Sequence, residues 1–437
     1  MSKISVKNII IITLFSLTFT ASFSSVSLAQ AGRETFEQGL TLFDNGEYNQ
    51  ALRIFWRLSG NGDAQAQYYM GIMKDQSLGT SRDPYGAVKW IEKAAYQDYV
   101  PAMTYMGFAY SLGHGTRKNL DKAYEWFEKA AQAGDAAAQN NMGVMLRDGE
   151  PRPQDYEQAL QWFRLSSTKG NVKALYNLAM MYAEGKGTDK NIPLAINLLK
   201  QASEKDHDKA DYSLATLYYS GDAGTTNKKL AFQYYKKAAA LDHPDAILQL
   251  GKMYESGEGV DTKSPEDAAI WYEKAASNNN GEAMFLLANL YKNGTGVEKN
   301  YKKAFELYEQ SFKNEYLPAG YLLATLYEQG EGVEKNLSIA RHIFSDCADY
   351  GDHNCQLELA RFTKDGINVR VNYFEAYKWY SLALDGLTDS DKRAQAVVSR
   401  IEVANQLNNE QLRMVRTEIE KWEPREFGQR RGRRRNR

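Results

Sequence analysis

The sequence predicts an all-α protein, a right-handed α-solenoid of stacked antiparallel helix pairs. Three observations lead there. Small residues recur at Ala66, Ala102, Ala138, Ala174, Ala210, Ala246, Ala283, Ala319 and Cys355, at steps of 36 residues with a single step of 37. A second series, Ala51, Ala87, Ala123, Ala159, Ala195, Ala231, Ala268, Ala304, Ala340 and Ala376, keeps the same period. Between the two series a glycine heptad returns, as YSLGHGT from Tyr110, YAEGKGT from Tyr182, YESGEGV from Tyr254, YKNGTGV from Tyr291 and YEQGEGV from Tyr327. A chain of 437 residues would ordinarily hold two or three globular domains, but a period of this length marks a repeat array instead.

Residues 1–29 place Lys3 and Lys7 before an apolar run from Ile9 to Phe19, then a Ser/Thr-rich stretch ending Ser27-Leu28-Ala29. This pattern predicts a signal peptide cleaved near Ala29, and with it a periplasmic or secreted mature chain. The apolar run is shorter than the ~20 residues that a membrane span needs. Residues 30–63, with Gly39 and Phe43 before Gly46-Glu47-Tyr48 and Ala51, read as one helical pair with a short turn that caps the array.

Residues 64–385 carry the tandem repeats. Five positions after each small residue stands Gly or Ala (Gly71, Gly107 and Gly251 among them), with apolar side chains at three- and four-residue spacing around it. That is helix A. Three and four positions after each second-series alanine stand bulky pairs such as Trp90-Ile91, Trp126-Phe127, Trp271-Tyr272 and Trp379-Tyr380, which mark helix B. Small residues let the two axes approach while the large pairs fill the space beside them. One such hairpin leaves apolar surface exposed; a stack covers it.

The heptad glycines fall between helix A and helix B. The first of each pair is expected to end helix A at positive φ and the second to let the chain reverse. A nucleotide loop is excluded, because neither a preceding strand nor a Lys-Ser/Thr pair accompanies these glycines. Residues 386–424 read as two capping helices, Asp389–Leu407 and Asn409–Trp422, with Asn409 as an N-cap. Residues 425–437 hold seven arginines and one glutamate, a composition that predicts a disordered tail. Since the whole chain balances 54 basic against 55 acidic residues, the body preceding this tail is net acidic.

These residues resemble the Sel-1-like repeat family, a branch of the tetratricopeptide superfamily. The pattern A-x-x-x-L-G-x-M-Y-x-x-G-x-G-V stands as Ala246 through Gly251 and Tyr254 to Val260, and A-x-x-W-Y-x-K-A-A as Ala268 to Ala276. The family tyrosine is absent at Lys74 and Thr363, and the loop Gly149–Pro153 departs from the pattern, so distortion is expected there. The resemblance implies a non-enzymatic scaffold that binds partner proteins or peptides along a concave face made by the A helices. It also raises an alternative, since some cysteine-rich members have been described as cell-wall-active or β-lactam-binding enzymes.

Ser166-Ser-Thr-Lys169 fits the S-x-x-K of such enzymes, but the S-D-N and K-T-G partners are missing, and Ser166 occupies a packing position equivalent to Ala130. No catalytic residue is assigned. The five histidines form no zinc-binding pattern, and no metal or cofactor is expected. His207 and His243, 36 residues apart, read as equivalent surface positions in loops between repeats. Cys347 and Cys355 stand where other repeats carry the alanine pairs Ala130/Ala138 and Ala275/Ala283, and their spacing resembles that of cysteine-rich members. A Cys347–Cys355 disulfide is expected in an exported chain.

Two positions after each first-series residue come Tyr68, Thr104, Asn140, Tyr176, Tyr212, Leu248, Phe285, Tyr321 and Leu357. Of these, Tyr68, Tyr176, Tyr212, Phe285 and Tyr321 are candidate partner contacts, with packing between adjacent A helices as the competing role. Lys252, Lys292, Glu328 and Lys364 are expected at the rim. Arg430, Arg431, Arg433, Arg434, Arg435 and Arg437 are candidates for an anionic lipid or envelope polymer. Nucleic acid is not expected as a partner, and the expected state is monomeric.

Overall fold

A computed structural model describes residues 35–426; the expected signal peptide and Arg430–Arg437 lie outside the described residues. The chain divides into two compact units, one ending at Gln154 and one beginning at Asp155. In the first unit the helices are α1 (Phe36–Asp44), α2 (Tyr48–Gly60), α3 (Ala64–Gln76), α4 (Pro84–Ala95), α5 (Val100–Leu112), α6 (Leu120–Gln132) and α7 (Ala136–Asp148). The second unit holds α8 (Tyr156–Thr168), α9 (Val172–Glu184), α10 (Ile192–Ser203), α11 (Asp208–Ser220), α12 (Lys228–Ala240), α13 (Pro244–Ser256), α14 (Pro265–Ser277) and α15 (Gly281–Asn293). It continues with α16 (Tyr301–Lys313), α17 (Pro318–Gln329), α18 (Leu337–Asp349), α19 (His353–Asp365), α20 (Tyr373–Gly386), α21 (Ser390–Ala404) and α22 (Asn409–Glu420). No strand occurs among the described residues. Within each unit each helix packs on its chain neighbours, except that α21 and α22 both pack on α20, so both units are solenoids of helical hairpins.

Local chemistry sets the helix ends. Each B helix of the repeats starts at an Asp, Asn or Ser whose side chain accepts the third backbone N–H, as Asn119 does from Lys122 at 3.0 Å and Ser264 from Asp267 at 3.1 Å. That satisfies one of the amides a helix start leaves orphaned. Each A helix of the repeats stops at a residue in the left-handed region, which is glycine everywhere except at Ser77, whose φ is 62°.

The second glycine of the heptad is required by packing as well as by its turn. At Gly259 (φ 74°) an added Cβ would overlap the backbone carbonyl of Lys228, at the start of α12 in the preceding repeat. The same approach recurs in both units, 31 residues apart, as Gly115 against Pro84 and Gly332 against Tyr301. These glycines therefore set how closely one repeat seats on the last.

Inside the hairpin, a Cβ added at Gly107 would stand 2.5 Å from the Phe127 ring, and one at Gly251 would stand 2.5 Å from the Tyr272 ring. Phe127, Phe163, Tyr272, Tyr308 and Phe344 are all buried. Each such side chain contributes about 1.5–3 kcal/mol on leaving water. Tyr272 keeps its hydroxyl satisfied by donating to Glu255 at 2.5 Å, and Tyr308 does so by donating to Asn289 at 2.5 Å.

Where the family tyrosine is absent the helices are uninterrupted. Lys74 lies within α3 and pairs with Asp83 at 3.2 Å; Thr363 lies within α19 and donates to the Leu359 carbonyl at 2.6 Å. The Glu150–Pro151 peptide in the departing loop is cis. The cap of α22 is Asn408, one residue before the expected Asn409. Its side chain accepts from Gln411 N–H, and the Gln411 side chain accepts from Asn408 N–H, a reciprocal box that Asn409 and Leu412 cannot form. Together α21 and α22 cover the end of α20, burying Ala396, Val403 and Val415.

Cys347 on α18 and Cys355 on α19 form a disulfide, with Cα atoms 5.8 Å apart. Beyond α22 the chain turns back: Trp422 packs edge-on against Trp379, and Arg425 pairs with the Asp349 carboxylate at 3.1 Å. Arg425, counted with the tail by composition, is thus held on the second unit.

Candidate partner-binding face

The candidate rings sit on the A helices, four of them in a seam with the following repeat. In the first unit Tyr68 on α3 meets Tyr99, the residue that starts α5, with ring centroids 5.4 Å apart. In the second unit Tyr176 on α9 stacks on His207 at 5.1 Å, and Tyr212 on α11 stacks on His243 at 4.5 Å. Phe285 on α15 packs against Tyr316 at 5.2 Å, whereas Tyr321 on α17 packs within its own hairpin, against Phe344 on α18 at 6.2 Å. Tyr99, His207, His243 and Tyr316 share one register, three residues before the small residue that opens the next A helix. All five candidate rings are half-buried, so each packs on its neighbour and still presents an edge to solvent. Of the other members of the column, Thr104, Asn140 and Leu248 are buried and Leu357 is half-buried.

This geometry repeats with the period of the sequence, and a family model reads the same period. The Sel1 repeat matches nine times, at residues 64–99, 100–135, 136–171, 172–207, 208–243, 244–280, 281–316, 318–345 and 353–386. The chain belongs to the Sel1 repeat family. Among solved structures it is similar to a Sel1 repeat protein from Oxalobacter formigenes, at 28% identity and TM-score 0.56, over 67% of this chain and 86% of that one. It is also similar to a protective antigen of uropathogenic Escherichia coli strains that displays the same type of repeat, at 24% identity and TM-score 0.49, over 85% of this chain and 94% of that one. A comparison with curated protein sequences finds no significant match. Sel1 repeat proteins are in general protein-interaction scaffolds, and members of this repeat family are typically non-catalytic.

Across the Sel1 repeats the polar groups near the column are engaged with one another. Lys252 pairs with Glu282 at 2.7 Å, Glu328 with Arg361 at 2.6 Å, and Lys364 with Glu402 at 3.1 Å. The first two link successive repeats, and the third links the last repeat to the capping helix α21. Lys252 also stands six residues after its small residue, whereas Lys292, Glu328 and Lys364 stand nine after theirs, so Lys252 belongs one helical turn earlier. Arg361, which bridges Glu328 and Glu358, is the rim cation that sequence reasoning passed over.

One buried pair resembles a catalytic dyad at first sight. His114 Nε2 lies 2.5 Å from the Asp75 carboxylate, which is almost wholly buried. Its equivalent in the second unit is Tyr219 donating to Glu258 at 2.5 Å, again 39 residues apart and again joining the last turn of one A helix to the following repeat's loop. The recurrence with different chemistry identifies a structural tie. Ser166 is fully buried and Lys169 is exposed at the end of α8, so a substrate has no path to the serine hydroxyl. Among the described residues no group of three or more His, Cys, Asp or Glu side chains could hold a metal ion, and no helix is long and apolar enough to cross a membrane.

The histidines correct the surface expectation. His243 is buried and His207 half-buried, and each is the N-cap of an A helix. The N–H of Ala210 donates to His207 Nδ1 at 3.2 Å, and that of Ala246 donates to His243 Nδ1 at 3.4 Å. Burial holds both imidazoles below the usual histidine pKa; Asp208 opposes this at each, and Lys209 reinforces it. The sequence signal was the register: in five other repeats that position is a capping Asp63, Asp135, Asn171, Asn280 or Asp352.

Proposed function

We propose that this chain is an exported, non-enzymatic scaffold that holds a partner protein or peptide along the concave face of its A helices. The observation that carries the reading is the recurrence of a half-exposed aromatic ring at one register of the A helix, at Tyr68, Tyr176, Tyr212, Phe285 and Tyr321. Rigid rings give contact area at small entropic cost, and the four tyrosines add a polar edge, which suits protein recognition. Family membership supports a protein partner, and the leader sequence at residues 1–29 supports a periplasmic or secreted location. The run Arg430–Arg437 adds an electrostatic contact to an anionic lipid or envelope polymer.

Two triple substitutions test the face. Tyr176, Tyr212 and Phe285 replaced together by alanine should abolish recovery of the partner from envelope extract, with helical circular dichroism retained. Glu157, Lys236 and Glu273 replaced together, on B helices, should leave recovery intact. Retention of the partner by both folded variants contradicts the assignment, and unfolding of the first assigns the rings to the core.

A further inference from the structure

We propose that His207 and His243 form a proton-operated joint: protonation of the two imidazoles uncaps two consecutive A helices and loosens the seams that these helices make with the repeats before them. The argument starts from hydrogen-bond chemistry. An imidazole accepts a hydrogen bond at Nδ1 only while that nitrogen carries a lone pair, so the bonds from Ala210 and Ala246 fix both rings as neutral with the proton on Nε2. A second proton converts the acceptor into a donor. It then faces the N–H of Ala210 or Ala246, residues fully buried in their seams, and leaves that amide without a partner. The new charge also sits at the positive end of a helix dipole, where a cation is unfavourable. A carboxylate or amide cap has no such response near neutral pH, and the equivalent caps at Asn171 and Asn280 are amides.

Facing His207 are Tyr176 and Lys173 from α9, and Asp208 and Lys209 from its own helix. Facing His243 are Tyr212, Asp208 and Lys209 from α11, and Asp245 from its own helix. Asp208 and Lys209 therefore face both imidazoles, and the two sites share one charged environment. The stack on Tyr212, with ring planes 9° apart, shields His243 from the water that would solvate its cation. Relief requires the ring to swing out. That breaks the cap and the stack together. This joint is a property of the fold and stands whether or not a partner occupies the A-helix face.

The test uses the full mature chain. Nitrogen-resolved NMR of the histidine side chains should find both rings as the Nε2–H tautomer at pH 7.5, titrating below the usual histidine value. Hydrogen exchange measured by mass spectrometry, normalised to intrinsic rates, should show protection over residues 208–212 and 244–248 falling roughly tenfold between pH 7.5 and pH 5. Peptides starting after Asn171 and Asn280 should hold their protection. In His207→Asn/His243→Asn the fall should vanish with the caps kept. Nδ1–H tautomers, titration at or above the ordinary value, or pH-independent protection in the native chain would each overturn the proposal.

Discussion

The imidazole of His243 lies flat on the ring of Tyr212, centroids 4.5 Å apart and planes 9° from parallel, while its Nδ1 caps the helix that follows. One contact thus joins a candidate surface ring, a repeat seam and a helix start. Removing the ring should expose the imidazole to water and relieve the desolvation that depresses its pKa. Tyr212→Ala is therefore expected to raise the His243 pKa towards the ordinary value, with a smaller change at His207. Side-chain NMR titration of the variant checks the sign.

Stability should follow the same histidines. Because both folded pKa values lie below the unfolded value near 6.5, their contribution is fully present above that value and is lost as pH falls through the folded pKa values. Loss of each cap should cost about 1 kcal/mol. Urea denaturation at pH 7.5 and pH 5 is expected to show a larger difference for the native chain than for His207→Asn/His243→Asn.

The two heptad glycines should differ in what they tolerate. At Gly257 alanine meets a left-handed φ of 84° with the Lys263 side chain at 3.1 Å, which should cost about 1 kcal/mol. At Gly259 the added methyl also overlaps the Lys228 carbonyl, and the seam must open to admit it. Gly259→Ala should cost roughly 2–4 kcal/mol, measured by denaturant unfolding beside Gly257→Ala. Equal costs would show that the seam is not set by this contact.

The bridge between Cys347 and Cys355 closes a short loop, and reduction should lower stability by roughly 2–3 kcal/mol. Both positions carry alanine in other repeats, so Cys347→Ala/Cys355→Ala should match the reduced native chain without adding a packing defect. Unfolding with and without reductant checks the equivalence.

The arginine run should bind by charge. Deleting residues 427–437 is expected to abolish association with vesicles containing anionic lipid at low ionic strength, an association that 0.5 M salt should also remove. Sedimentation with vesicles measures both.

Much of this fold can be read from residue types because the repeat makes each position visible several times over. Gly257 and its equivalents mark helix ends by their recurrence, and the register of Cys347 and Cys355 with alanine pairs brings the two thiols together. The cap of α22 was also legible: Gln411 stands three residues after Asn408 and completes a box that Leu412 denies to Asn409. Other features depend on distances that no linear pattern states. That Gly259 touches the preceding repeat's backbone follows from how tightly repeats nest. The capping role of His207 and His243 was hidden because histidine is an uncommon cap, although the repeat period places both in register with Asn171 and Asn280. The face itself was legible as a column, but half-burial of Tyr176 and Tyr212 against imidazoles required the folded chain.

The central claim is that partners bind on the A-helix column. Its most direct test is photo-crosslinking in intact cells, with p-benzoylphenylalanine placed singly at Tyr68, Tyr176, Tyr212, Phe285 and Tyr321, and at Glu157, Lys236 and Glu273 as B-helix controls. The account predicts adducts to one common protein from the A-helix positions and none from the controls; adducts from the B-helix positions alone would contradict it.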